Sequence, residues 1–149
     1  MSEISISVTA QEELVLSVLR DLGNGQVEDA TGHFAEEFRF KDHGIGLEFK
    51  DKQRLAEFFQ KTREFYPESV LETKTIVLSG DHVITEWTLQ TILMEPLYGG
   101  LKWRVPVSLH GASIVRTANG KITDWAEYYD GLTARRTALA SYFTEWIEL

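Results

Sequence analysis

Apolar side chains recur at helical spacing over the first part of the chain and at alternate positions over much of the rest. Thr9 and Glu12 make a capping-box pair ahead of the stripe Val15, Val18, Leu19 and Leu22, so the spacing predicts a first helix, ended by Gly23, Asn24 and Gly25. Val27, Ala30, Thr31 and Phe34 share one side of a short second helix that Phe34 to Glu37 closes. Arg39 to His43 reads as a short strand before a turn at Gly44 and Gly46. Asp51 then caps a third helix with Leu55, Phe58 and Phe59 inward, and Pro67 marks its end.

From Leu71 the pattern changes. Leu71 to Ser79, His82 to Met94, Leu101 to Thr117 and Lys121 to Tyr129 are rich in Thr, Val, Ile and Trp and read as four strands. Gly80-Asp81, Tyr98-Gly99-Gly100 and Asn119-Gly120 connect them as hairpins, so a meandering antiparallel sheet is expected. Beyond Gly131, Leu139, Tyr142, Phe143 and Trp146 form the stripe of a last helix that docks on the body or on a second subunit. Helices first and a meander afterwards predict an α+β fold, with a curved antiparallel sheet closing a cone over the N-terminal helices. Val105 to Ile114 is apolar on both faces, which points to a homodimer formed on the convex side.

Composition narrows the classes of function. At 149 residues, 43% of them hydrophobic, the chain suits one domain spanning residues 1–149. A net charge of −8 repels phosphate backbones and anionic lipid, so neither nucleic acid nor a membrane surface is an expected partner. The chain has no cysteine, which excludes disulfides and thiolate metal sites and agrees with a cytoplasmic location. No apolar stretch approaches about 18 residues, the length that spans a membrane.

The chemistry-bearing positions are few. Period-2 alternation puts Trp125, Glu127 and Tyr129 on one face of the last strand. If Trp125 lies in the core, Glu127 is a carboxylate flanked by aromatics, a costly placement unless it is paired or functional; Arg104 is the alternative partner. Asp42, before Gly44, is either a turn residue bonding backbone amides or a pocket acid. Alternation separates Val105, Val107 and Leu109 from Pro106, Ser108 and His110, and Gly111 is a place for a bulge, so the face of His110 stays open. Trp87 and Trp103 suit packing or an aromatic pocket wall, Trp87 being the better wall candidate. His33, His43, His82 and His110 have no metal-ligand spacing, so no metal is expected. Gly44-Ile-Gly46 and Gly120-Lys121 lack the context of a phosphate loop, and no Gly-x-Ser-x-Gly elbow occurs. Any chemistry would be cofactor-free acid–base work.

Two segments carry a resemblance. Phe34-Ala-Glu-Glu-Phe-Arg-Phe-Lys-Asp-His43 and Asn119-Gly-Lys-Ile-Thr-Asp-Trp-Ala-Glu-Tyr-Tyr-Asp130 are similar to the first helix-to-strand passage and the last hairpin of the nuclear transport factor 2-like superfamily. That superfamily includes ketosteroid isomerases, SnoaL-like polyketide cyclases and limonene epoxide hydrolase, so the likeness implies fold more than reaction. By this resemblance Asp42 stands where the isomerases hold their general base, whereas the oxyanion-binding places fall near Val18 or Arg20 and on Ala112. Glu127 stands where limonene epoxide hydrolase holds its water-activating acid. That enzyme's Tyr, Asn, Arg and second Asp correspond to Phe40, Asp42, Trp87 and Leu89, which removes two of the groups that opening an epoxide needs. The resemblance also turns His110 and Ala112 inward.

The resulting expectation is a cofactor-independent cyclase, isomerase or hydrolase for a small hydrophobic molecule, with Asp42 and Glu127 catalytic and Phe40, Trp87, His110, Trp125 and Tyr129 around the ligand. A binding module or dimeric scaffold of the same fold is the alternative. In a scaffold, Phe38, Phe40, Trp87, Trp125 and Tyr129 would fill the cone themselves.

Overall fold

The first helix, α1 (Ala10–Gly23), starts where the sequence places it: Thr9 Oγ1 accepts from the Glu12 backbone amide, and Glu12 reaches back to Thr9. The computed structural model describes residues 8–96 and 102–132. Helix α2 (Val27–Gly32) and helix α3 (Lys52–Phe65) complete the helical layer. Asp51 caps α3 through the Arg54 amide, and Arg63 Nη1 donates to the Leu22 carbonyl at 2.9 Å, tying the end of α3 to the end of α1.

Six strands form one curved sheet: β1 (Phe34–Asp42), β2 (Leu47–Phe49), β3 (Val70–Ser79), β4 (His82–Pro96), β5 (Lys102–Ala118) and β6 (Lys121–Tyr129), in the order β2-β1-β6-β5-β4-β3. β3 to β6 are the predicted antiparallel meander. At the β5–β6 turn Asn119 and Gly120 both hold positive φ, 52° and 73°, as a two-residue hairpin requires.

The sheet as a whole is mixed, because β1 lies parallel to β6. Phe34 is accordingly not the last residue of α2 but the first of β1. The reason is tertiary: the His33 carbonyl accepts the Ile122 amide at 3.0 Å and the Gly32 carbonyl accepts Lys121 Nζ at 2.9 Å, so β6 draws the chain out of the helix. The short strand β2 also escaped the sequence pattern, since its three residues are exposed or only partly buried and carry no alternation. The expected turn at Tyr98–Gly100 and the final helix beyond Gly131 lie outside the described residues.

Helices and sheet enclose a core of Val15, Val18, Leu19, Val27, Phe34, Phe38, Phe40, Leu55, Phe59, Val83, Val115, Ile122 and Trp125. A second, smaller cluster of Trp87, Val107 and Leu109 lies further along the same inner face. The outer face of the sheet carries exposed Val77, Ile84, Ile114 and Tyr128.

Candidate active site

Residues directly opposite in a sheet share a face, so the strand register alone sorts the inner surface into rows. Phe40, Trp125, Val115 and Val83 form one apolar row across β1, β6, β5 and β4. The next row is polar throughout: Asp42, Glu127, Ser113 and Thr85. Beyond it come Tyr129, Gly111 and Trp87. A polar belt therefore separates the two hydrophobic clusters.

Asp42 is 3% exposed and ends β1. Its Oδ1 accepts the Ile45 amide at 3.1 Å, as a turn aspartate does, and its Oδ2 accepts the Tyr129 hydroxyl at 3.0 Å. The turn reading of this residue therefore holds, and its second oxygen is turned to Tyr129 on β6. Glu127 is half-buried, and its Oε1 accepts the Trp125 indole N–H at 3.2 Å. The backbone joins the two acids as well, through the His43 amide bonded to the Glu127 carbonyl at 2.9 Å.

Loss of water is the main influence on these groups. Burial pushes the Glu127 carboxyl up from 4.5 to about 7; the neighbouring Asp42 charge adds to the rise and the Trp125 N–H opposes it. Asp42 is also raised by burial, against hydrogen bonds from Tyr129, Ile45 and Gly44 and the charge of His43. Burial and the Asp42 charge raise the Tyr129 phenol, keeping it a donor. Two adjacent carboxylates resist joint ionisation, which raises the proton affinity of Glu127 toward neutral pH.

No arginine or lysine among the described residues forms an ion pair with either acid. Arg104 pairs with Glu68 at 2.6 Å, Arg39 with Asp124 at 3.5 Å and Arg20 with Glu13 at 2.8 Å, which removes Arg104 as the partner of Glu127.

The other predicted site residues divide. Trp125, Glu127 and Tyr129 share the inner face as alternation requires. Trp87 is also inward; its indole donates to Ser113 Oγ at 3.0 Å and its ring lies 6.1 Å from that of Tyr129. Phe40 is a core residue, 1% exposed and ringed by Phe34, Phe49, Phe58, Phe59 and Trp125. His110 corrects the inward expectation, for it and Ala112 lie on the outer face. The β4–β5 register runs without a shift from His82 to Pro96, so Gly111 introduces no bulge and Leu109 and Ser113 take the inner positions. His110 instead lines an outer groove of about 540 Å³ with Lys74, Glu86, Thr88 and Tyr128.

Glycines make the close approaches possible: a Cβ on Gly44 would collide with the Tyr129 ring, and one on Gly111 with the Trp87 indole. Ser113 and Thr85 were missed from sequence, although both interrupt alternating apolar runs at inward positions. Thr85 is fully buried and its hydroxyl is the one buried side-chain polar atom without a hydrogen bond among the described residues. Such a group costs about 1–3 kcal/mol.

Comparison with known proteins agrees with this architecture. The family model of the SnoaL-like domain matches residues 15–125, and the chain belongs to that family. Its fold is that of the nuclear transport factor 2-like superfamily. A candidate SnoaL-like polyketide cyclase from Shewanella denitrificans superposes with a TM-score of 0.78 at 12% identity, over 89% of this chain and 99% of that one. An LEH-like epoxide hydrolase from M. tuberculosis gives 0.71 at 16% identity, over 94% and 97%. A protein of ketosteroid isomerase-like fold from Catenulispora acidiphila, in complex with trimethylamine, gives 0.72 at 18% identity, over 82% and 88%. No curated protein matches the chain in sequence. Identities this low establish the shared fold, not a shared reaction.

Proposed function

We propose that this protein is a cofactor-independent acid–base enzyme acting on a small hydrophobic carbonyl compound, with Glu127 and Asp42 as its proton-handling groups. The observation that carries the reading is their position side by side on the inner face, with the Glu127 carboxyl raised to about 7. A base is most effective when its pKa lies near the working pH. Ionised Glu127 removes a proton from the carbon next to a carbonyl, and the bonding electrons pass to the carbonyl oxygen as an enolate. Where the substrate is a β,γ-unsaturated carbonyl the enolate is a dienolate, and protonated Glu127 returns the proton to its γ-carbon, moving the double bond into conjugation and giving an isomer. Alternatively, the enolate carbon attacks a second carbonyl and Glu127 protonates the resulting alkoxide, closing a ring. Asp42, held by Tyr129 and Ile45, lies beside Glu127, and its charge raises the Glu127 proton affinity.

The experiment is deuterium exchange of 2-tetralone, a bicyclic ketone with acidic α-hydrogens, followed by NMR in deuterated buffer. Wild-type protein should accelerate exchange, and Asp42→Asn/Glu127→Gln should lose at least a hundredfold of that acceleration. Equal exchange with and without the wild-type protein would defeat the proposal.

A second reading, a binding module for a hydrophobic ligand, draws on the hydrogen bonds that already occupy both Asp42 oxygens. It predicts ligand binding with no exchange. Under either reading the outer face suits a second copy of the chain, because Val77, Ile84 and Ile114 are exposed on neighbouring strands.

A further inference from the structure

The polar belt contains two hydroxyls that the acid–base reading does not use. Thr85 and Ser113 are register partners on β4 and β5, both completely buried and both facing inward. Ser113 is in turn the register partner of Glu127. A serine hydroxyl has two lone pairs and one proton; with a lone pair of Ser113 facing the Trp87 N–H, its own proton is turned elsewhere. Accepting from the indole also strengthens the bond that this proton can donate. Beside it the Thr85 hydroxyl has no hydrogen-bond partner among the described residues.

An orphaned hydroxyl deep in a protein asks for an explanation, since replacing it by a methyl group would remove the penalty at no cost in shape. The surroundings supply one. The belt borders the smaller apolar cluster of Trp87, Val107 and Leu109, buried side chains with Tyr129 packed against them. A ring system inserted beside that cluster would have its polar end at the belt.

We propose that Thr85 and Ser113 form a hydroxyl pair that holds a carbonyl or enol oxygen of the ligand, Ser113 on the strand next to that of Glu127 and Thr85 on the strand beyond. In the reaction proposed above, the oxygen gains negative charge while Glu127 takes the proton, and two donors at that oxygen stabilise the enolate. This assignment rests on that reading only for its catalytic consequence; the binding site is tested separately.

The probe is 2-naphthol, which has the shape of the enol of 2-tetralone, with naphthalene as the oxygen-free control, both titrated by fluorescence. Thr85→Val preserves shape and should weaken 2-naphthol binding about tenfold while leaving naphthalene binding unchanged, and Ser113→Ala should do the same. Thr85→Val should also raise the melting temperature of the free protein, which shows that the variant is folded. Unchanged 2-naphthol affinity in both variants, or equal loss for naphthalene, would overturn the oxygen site, as would a wild-type protein that binds no 2-naphthol. Glu127→Gln should retain 2-naphthol. Oxygen-selective losses without tetralone exchange would keep the oxygen site and discard the acid–base reading, and the converse pattern would do the opposite.

Discussion

Glu127 links the stability of the fold to the proposed chemistry through one carboxyl. In the fold its carboxyl titrates near 7, against 4.5 in the unfolded chain, so between those values the folded state binds more protons. Stability from this group is therefore greatest at low pH, falls as pH rises from about 4.5 to 7, and levels off above that. Asp42, also raised, changes stability in the same direction. Glu127→Gln should stabilise the protein by roughly 1–3 kcal/mol at pH 8 and much less at pH 5, a contrast that thermal melts at the two values will measure. In the wild type, proton abstraction should increase with pH to a plateau above about 7, as the base ionises. Alternation along Lys121–Tyr129 was enough to place Glu127 on the Trp125 face. It could not pair Glu127 with Asp42, because the two are far apart in sequence and meet only through a parallel strand pairing.

At the scale of elements, the site depends on the turn between β1 and β2. Gly44 lies under the Tyr129 ring, and Gly46 donates its amide to the Asp42 carbonyl at 2.8 Å. Gly44→Ala should force the phenol away from Asp42 and cost about 1–3 kcal/mol. Denaturant unfolding checks the cost, and a pH titration of Tyr129→Phe shows what loss of the hydrogen bond alone does to Asp42. Helices and hairpins were legible in advance where their signals are local: the Thr9–Glu12 capping box, the Asp51 cap and the Asn119-Gly120 turn. The α2–β1 junction was not. Phe34 fits the apolar side of α2 by spacing, and only hydrogen bonds from Lys121 and Ile122 make it a strand residue.

On the scale of the whole molecule, the sheet offers two different surfaces. Its inner face joins helices, the acid pair and the hydroxyl pair; its outer face presents Val77, Ile84 and Ile114 in a stripe across β3, β4 and β5. The homodimer proposed on this face predicts that wild-type protein sediments as a dimer and Ile84→Glu/Ile114→Glu as a monomer, with little change in melting temperature at matched low concentration. The amino-acid sequence by itself determined the α+β class, the capped helices, the meander and the inward face of β6, because caps, turns and hydrophobic periodicity act over a few residues. Only the tertiary structure decided that β1 lies parallel to β6, that His110 faces outward, and that Asp42, Glu127, Ser113 and Thr85 form one row. Register between strands distant in sequence is set by packing and by hydrogen bonds between remote backbone groups, and no local pattern carries that information.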